Sequence, residues 1–515
     1  MSEDATFAVT RVGRGRRSRI GLAVWLAVLG AIAAWLGAAR IATGPRDEAI
    51  GALPAGAAQR SGPASTPVGP RPTGTVWLRS GSDLRGLDLR TGDVGRAIGT
   101  HDWRDKVLRL PNGTFICVCT EVTRVEGGEV VKVSLGRIDG QGVSDARELT
   151  TVRGRWDATR STNDQSETVV TTAALSPNGR LLAVGLTVRG AETFERSLLV
   201  VDPARATVLQ TIAVDPLKAV RGVGTWLTIG FSQNGSRILV SAAGYNQVAA
   251  VDDRHFVARI DGMTVGGLEP VPGIGLSGDR SDGRCLDAGP RLLDADTVVA
   301  ICHGPAGTEG FVRKVDIPTG RMSELDLHES LQGAYPMQLL DERSSTLFLW
   351  DPFTHRAARV DLAAMRVEAA TKIETPTAAR SPLERLVRAA SNWIAPAALA
   401  KILLEPGLAL TADRLYVVAM SGDGFENPGE ASLVLALDRT DLALLGRWSV
   451  EPDVVSIAIA PNGRDVVVGT LTRSASGSSE ASVAVLDGSS GVVRARYDRL
   501  GSEWPLLVDD AAINR

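Results

Sequence analysis

Aromatic side chains make up only 4% of the 515 residues. The core must therefore be built from Val, Leu, Ile and Ala, short side chains that suit closely stacked sheets. Lysine is confined to Lys106, Lys132, Lys218, Lys314, Lys372 and Lys401, so Arg carries most of the positive charge. Together with abundant Ala and Gly, that usage points to a GC-rich, bacterial genome. A formal net charge of -3 gives no sign of a nucleic-acid surface. No Gly-x-Ser-x-Gly elbow, His-Glu-x-x-His pair, phosphate-binding loop or dinucleotide fingerprint is present, so no local motif declares an enzyme. Against these absences, 44% of the residues are hydrophobic, the level of an ordinary folded protein rather than a disordered one.

Residues 20 to 39 read IGLAVWLAVLGAIAAWLGAA, twenty residues without a charge. At a rise of about 1.5 Å per residue such a helix spans about 30 Å, the hydrocarbon thickness of a bilayer. Arg11, Arg14, Arg16, Arg17 and Arg19 precede it, which puts the N-terminus in the cytoplasm. The expected organisation is a basic cytoplasmic tail (1–19), a transmembrane signal-anchor (20–39), a linker (40–74) and an extracytoplasmic domain (75–515). Two alternatives stand beside the anchor. One is a signal peptide cleaved near Gly37-Ala38-Ala39. The other is a twin-arginine leader at Arg16-Arg17. In the linker, Pro45, Pro54, Pro63, Pro67, Pro70 and Pro72 stand among Ala, Gly, Ser and Thr, the composition of an extended spacer.

Beyond Gly74 one turn chemistry recurs. Leu110-Pro-Asn-Gly-Thr, Leu175-Ser-Pro-Asn-Gly-Arg, Phe231-Ser-Gln-Asn-Gly-Ser and Ala460-Pro-Asn-Gly-Arg each join two apolar runs. Asn-Gly is a strong hairpin signal because both residues tolerate positive φ. Weaker versions lie at Asp294, Asp341 and Thr411. A second hairpin follows each, an apolar strand ending in Asp: Asp88, Asp139, Asp202, Asp252, Asp316, Asp361, Asp438 and Asp487. The Asp carboxylate closes such a turn by accepting from the backbone two residues on. Two hairpins per unit of about 45 to 60 residues predict four-stranded antiparallel sheets repeated as a β-propeller. The first Asp hairpin lacks an Asn-Gly partner, and a strand near Trp504 to Val508 is placed to complete its blade. The predicted class is all-β, a propeller of seven to eight four-stranded blades with eight preferred. One N-terminal transmembrane helix and a short helical insertion at 381–405 accompany it.

The Ser-Pro-Asn-Gly-Arg-Leu-Leu-Ala-Val run from Ser176, followed by Val200-Val201-Asp202, resembles the WD40/YVTN-type propeller superfamily, in particular its extracytoplasmic bacterial members. The resemblance covers most of residues 75 to 510. It implies the propeller fold and leaves the ligand open.

In a four-stranded meander successive turns alternate between the two ends. The Asn-Gly and Asp turns therefore share one face of the disc. The other face carries longer connections, at Leu186 to Arg196, His303 to Gly310, Ser421 to Ser432 and Thr472 to Ser482. Long loops on a rigid scaffold carry recognition, so Glu192, Tyr245, His303, Asp423 and Glu426 are the ligand-binding candidates. Asp423, Glu426 and Glu430 also offer carboxylates to calcium, without the spacing of a calcium loop. The insertion opens with the capping box Ser381-Pro-Leu-Glu384. It is either a helical pair on the propeller wall or a docking element presenting Trp393. Cys285 and Cys302 are a disulfide candidate. Cys117 and Cys119, two apart in one strand, are expected as buried free thiols. Asn112-Gly-Thr and Asn234-Gly-Ser match the glycosylation acceptor but read as turn chemistry. No catalytic residue, resident metal or cofactor is assigned.

Three functions remain. The preferred one is a membrane-anchored extracytoplasmic propeller that binds or scaffolds a protein or envelope ligand, with no nucleic-acid partner. The second is a propeller enzyme, a lactonase-like hydrolase or quinone-dependent oxidoreductase with a site at the central channel. The third is a sensor acting through a membrane partner, since the cytoplasmic tail is too short for a signalling domain.

Overall fold

A computed structural model describes residues 72–80, 83–95, 105–139, 142–155, 169–190, 193–218, 224–245, 250–275, 290–303, 310–327, 330–331, 337–352, 354–374, 407–419, 433–450, 453–473, 479–500 and 506–508. The segment 20–39, the linker up to residue 71 and the insertion at 381–405 lie outside them. Among the described residues no helix is long and apolar enough to cross a membrane. Chain contacts separate residues 1–66 from a unit running from Pro67 to Arg515.

That second unit is a propeller of eight antiparallel sheets. Blade 1 is built from Thr75–Ser80 and Asp83–Asp88, closed by Leu506–Val508 from the other end of the domain. Leu78 pairs with Leu507, so the two ends of the domain are hydrogen-bonded in one sheet. The expected closing strand is present. Blade 2 runs through Lys106–Arg109, Phe115–Val125, Gly128–Asp139 and Gly142–Arg155, and blade 3 through Val169–Leu175, Leu182–Arg189, Thr193–Asp202 and Thr207–Lys218. Blade 4 holds Gly224–Phe231, Arg237–Tyr245, Ala250–Asp261 and Thr264–Val265, with Glu269–Gly275 also paired to its third strand. Blades 5 to 8 begin at Arg291, Met337, Leu408 and Asp453. The first strands of neighbouring blades approach one another and define the hub. The last strands, such as Met322–Asp326 and Arg366–Lys372, alternate exposed and half-buried residues and form the rim.

Ring closure follows from the period of two along each strand. In blade 3, Leu182, Val184 and Leu186 pack toward Ile116, Val118 and Val133 of blade 2. The intervening Leu181 and Ala183 pack toward Ile238 and Val240 of blade 4. In blade 6, Leu347 and Leu349 face blade 5, while Phe348 and Trp350 face blade 7. Strands buried on both faces read as continuous apolar runs, such as Thr346–Asp351, which is buried throughout. Eight such clusters join each blade to the next, the last linking Ala458, Val467 and Val483 of blade 8 to Val76, Leu78 and Leu87 of blade 1.

The repeated turns hold the blades in register. In the Asn-Gly turns only the glycine has positive φ, at Gly113, Gly179, Gly235 and Gly463. The expectation of two such residues is therefore corrected. The preceding Pro or Gln opens a loop of three residues between Leu110 and Thr114 and of four in the other three turns, and the Asn acts through its side chain instead. Asn112, Asn178, Asn234 and Asn462 each accept through Oδ1 from the backbone N–H two residues on, at 2.9 to 3.0 Å. This uses the carboxamides of Asn112 and Asn234 as turn closures. Two of these glycines also sit against the neighbouring blade: a Cβ on Gly179 would lie 2.5 Å from Cδ of Pro111, and one on Gly235 3.6 Å from Cδ of Pro177.

The Asp turns share a different rule. The residue four after the Asp takes positive φ: Gly92, Gly320 and Gly491, but also Ala206, Met365 and Leu442. Ser345 and His355 stand in the same relation to Asp341 and Asp351. Asp139 pairs directly with Gly142 and departs from the rule, and Asp252 breaks it as well. It lies inside the strand Ala250–Asp261, paired with Gly244, and blade 4 turns instead between Asp261 and Thr264. The residues after Asp252 continue the strand, with Asp253 paired to Ala243 and Phe256 to Val240, so the chain does not turn there.

Candidate functional site

The two faces of the disc differ in how their polar groups are used. On the Asn/Asp-turn face many polar groups of the described residues are engaged within the fold. Asp88, Asp202, Asp361, Asp438 and Asp487 each accept two consecutive backbone N–H bonds in their own turns. These bonds favour the charged carboxylate. The Thr319 hydroxyl lowers the pKa of Asp316, the Ala364 N–H that of Asp361 and the Thr440 N–H that of Asp438. Asp487 is lowered furthest, first by the Ser489 hydroxyl and then by Arg494. Side chains from one blade then reach the turn carbonyls of the next. Arg147 donates to Arg205 O at 3.1 Å, Lys314 to Leu362 O at 2.7 Å and Arg359 to Thr440 O at 3.1 Å. Tyr416 donates to Gly488 O at 2.9 Å, and Tyr497 to Leu89 O. This face is a ring of staples.

The opposite face carries the connections between second and third strands and between blades. Blade 2 projects from it. Its inner strand begins at Lys106, opposite Val118, but the second and third strands stay paired out to Val125 and Gly128. The fourth strand follows the third along this length, ending with Arg155 opposite Gly128. Seven residues of extension correspond to about 20 Å. One side of the projection is apolar, with Val131 and Val133 packed on blade 3 and Val122 and Val152 against them. The other side carries Glu121 directly opposite Lys132, both exposed. At the tip, Arg124, Val125 and Glu126 are exposed, Val125 by 44%.

Blade 3 corrects one expected loop. Leu186 to Arg196 is not an irregular connection: strands Leu182–Arg189 and Thr193–Asp202 pair to its tip, where Gly190 N–H donates to Thr193 O at 2.7 Å. Buried polar residues conceal the strand period there. Thr187, Arg189 and Arg196 are all buried, and the Arg196 guanidinium donates to Asp215 O at 2.6 and 2.8 Å. Asp215 in turn pairs with Arg254 of blade 4 at 2.6 Å. The connection Thr472 to Ser482 is similarly shortened by strands Val466–Arg473 and Ser479–Leu486.

Of the ligand-binding candidates, Tyr245 ends the second strand of blade 4 and His303 ends the second strand of blade 5. Both strand ends open on the projecting face. Glu192, Asp423, Glu426 and Trp393 lie outside the described residues, as does Cys285. Cys302 is buried and disulfide-bonded.

Cys117 and Cys119 depart from expectation. They form a disulfide with each other, with Cα atoms 5.3 Å apart. Alternate residues of a strand share a face, and this separation lies inside the range that disulfides tolerate. The buried Asp105 lies one residue before the inner strand, whose register begins with Lys106 opposite Val118. Its carboxylate accepts from Thr120 N–H at 2.6 Å. One ligand atom each of Asp105, Cys117 and Cys119 lie within 4.8 Å of one another. In the sequence no neighbouring Cys or His completes a ligand set with this Cys pair. Asp105 is remote in sequence and arrives only through strand pairing.

No family model matches the chain, and no curated protein sequence matches it. Solved structures with a similar course of chain include dihydro-heme d1 dehydrogenase NirN, at 11% identity over 86% of this chain and 76% of that one, with a TM-score of 0.49. The periplasmic gluconolactonase PpgL of Pseudomonas aeruginosa is similar at 14% identity over 84% of this chain and 98% of that one, TM-score 0.38. The Cps50 (Swd1) β-propeller domain of Myceliophteria thermophila is similar at 11% identity over 66% and 92%, TM-score 0.35. At such identities the likeness concerns the fold alone.

Proposed function

We propose that this propeller is a binding module, anchored by the 20–39 segment on the extracytoplasmic side of a membrane, that holds a protein or envelope ligand on the projecting face. The projection of blade 2 carries this reading. It extends about seven paired residues beyond the inner strand and exposes Arg124, Val125 and Glu126 at its tip. A sheet extension that the ring does not need for closure is a preorganised contact surface, and rigid presentation lowers the ordering cost of binding. The turn face, whose polar groups are spent on its own backbone, offers little to a partner.

The test is photo-crosslinking in cells of the source organism, with a benzophenone side chain at Arg124 or, as the control face, at Arg90. A discrete adduct from position 124 and none from position 90 supports the reading. Equal labelling from both, or none from 124, overturns it. Protease added outside intact cells must also remove the propeller; protection would place the domain on the wrong side.

A further inference from the structure

The geometry points to a redox-gated cation site: after reduction, Cys117 and Cys119 together with Asp105 hold one thiophilic divalent cation of the zinc class, and the disulfide closes the site. This goes beyond the binding reading and does not depend on it.

Three observations carry it. The first is the donor set. Two sulfurs and a carboxylate oxygen lie within 4.8 Å, and Cys thiolates with a carboxylate are ordinary zinc ligands. Three protein ligands leave the fourth tetrahedral position to water or a ligand. The second is how the groups are held. Cys117 and Cys119 lie on one face of the second strand of blade 2, and Asp105 immediately precedes the inner strand that pairs with it from Lys106. Two of the three ligands are thus held by a paired strand and the third by the residue adjoining one. Asp105 is aimed by its bond from Thr120 N–H. The third is the poor return from the disulfide as a structural brace. It links residues two apart, and so short a loop removes little entropy from the unfolded chain.

The chemistry balances with an external dithiol as reductant. Cys117 is fully buried and Cys119 partly exposed. A reductant thiolate attacks Sγ of Cys119, the Sγ–Sγ bond breaks, and Cys117 leaves as thiolate and takes a proton. The second thiol of the reductant then displaces Cys119, which is also protonated, and the reductant departs as its own cyclic disulfide. Binding of the cation releases both thiol protons.

The experiment uses the full chain, reduced with a dithiol and freed of it under anaerobic conditions, then titrated with Zn2+ and separately with Co2+. The expected result is one equivalent of Zn2+ bound, with thiolate-to-cobalt charge-transfer absorption for Co2+, and no binding by the oxidised chain. Cys117→Ser and Cys119→Ser lose the absorption. Asp105→Asn weakens Zn2+ at least tenfold while circular dichroism stays unchanged. Cys302→Ser, which removes the other disulfide, leaves binding intact. The proposal is overturned if the reduced chain binds no cation, if Cys119→Ser retains the charge-transfer band, if Asp105→Asn binds as tightly as the parent, or if Cys302→Ser abolishes binding.

Discussion

The seam between blades 6 and 7 and the seam between blades 1 and 2 solve the same packing problem unequally. The first buries Phe348, Trp350, Leu415, Val417, Leu435 and Leu437 completely. The Trp350 indole also donates to Val418 O across the seam at 2.8 Å. Among the described residues, the second has only Leu84 and Val107 fully inside, with Trp77, Phe115 and Ile138 partly covered. Rings and charge replace aliphatic bulk there. Trp77 meets Phe115 edge-on at 4.9 Å, and the Arg109 guanidinium lies 5.8 Å from both ring centres. The lighter seam is also the one beside the Cys117–Cys119 pair and the C-terminal closing strand. A ring needs every seam, but its weakest one decides where it opens.

The largest effect separating the two seams is Trp350→Ala. It removes a fully buried indole and leaves Val418 O unpaired, which costs about 3–5 kcal/mol. Leu84→Ala in the lighter seam costs about 2–3 kcal/mol. Denaturant midpoints of the two variants measure the contrast; equal losses would mean that both seams are packed alike. Gly179→Ala comes next. It places a Cβ both at positive φ and 2.5 Å from Pro111, for a loss of about 1–3 kcal/mol. The same change at Gly463, where a Cβ meets nothing within 4 Å, incurs only the backbone cost.

Acid sharpens the comparison differently. Asp316, Asp361, Asp438 and Asp487 all have pKa values lowered below the ordinary 3.8. A carboxylate that is harder to protonate when folded stabilises fully above its unfolded pKa. That contribution is lost as pH falls through the folded value. The turn face should therefore loosen below about pH 4, seen as rising amide exchange in the Asp turns. Asp487→Asn should flatten that dependence. The smallest effect is Ala206→Gly. Ala206 has φ of 51° where three other Asp turns use glycine. Relief of that strain outweighs the extra freedom of the unfolded chain by a few tenths of a kcal/mol, roughly.

Much of the fold is legible in single turns. Asn112-Gly113, Asn178-Gly179, Asn234-Gly235 and Asn462-Gly463 mark the first hairpin of four blades, because a local carboxamide and one glycine suffice to make each turn. The Asp rule was legible too, yet Asp252 shows its limit. An Asp at the end of an apolar run does not turn the chain when the residues after it continue the strand pairing, as Asp253 to Arg259 do. The connection at Leu186 to Arg196 was hidden for a related reason. Its strands carry buried Thr187, Arg189 and Arg196, and only tertiary partners such as Asp215 O make those positions tolerable.

The scarcity of aromatics and the recurrence of turns determined that this chain builds small, regular, closely stacked sheets. Turn chemistry is local, so the sequence alone could specify the blades and their order. The tertiary structure decided what spans distant residues. It set the number of blades at eight, by pairing Leu507 with Leu78. It extended blade 2 beyond the ring, and it brought Asp105 to Cys119. Each of these depends on strand register, which is fixed by which neighbours a strand finds and not by the residues beside it in the chain.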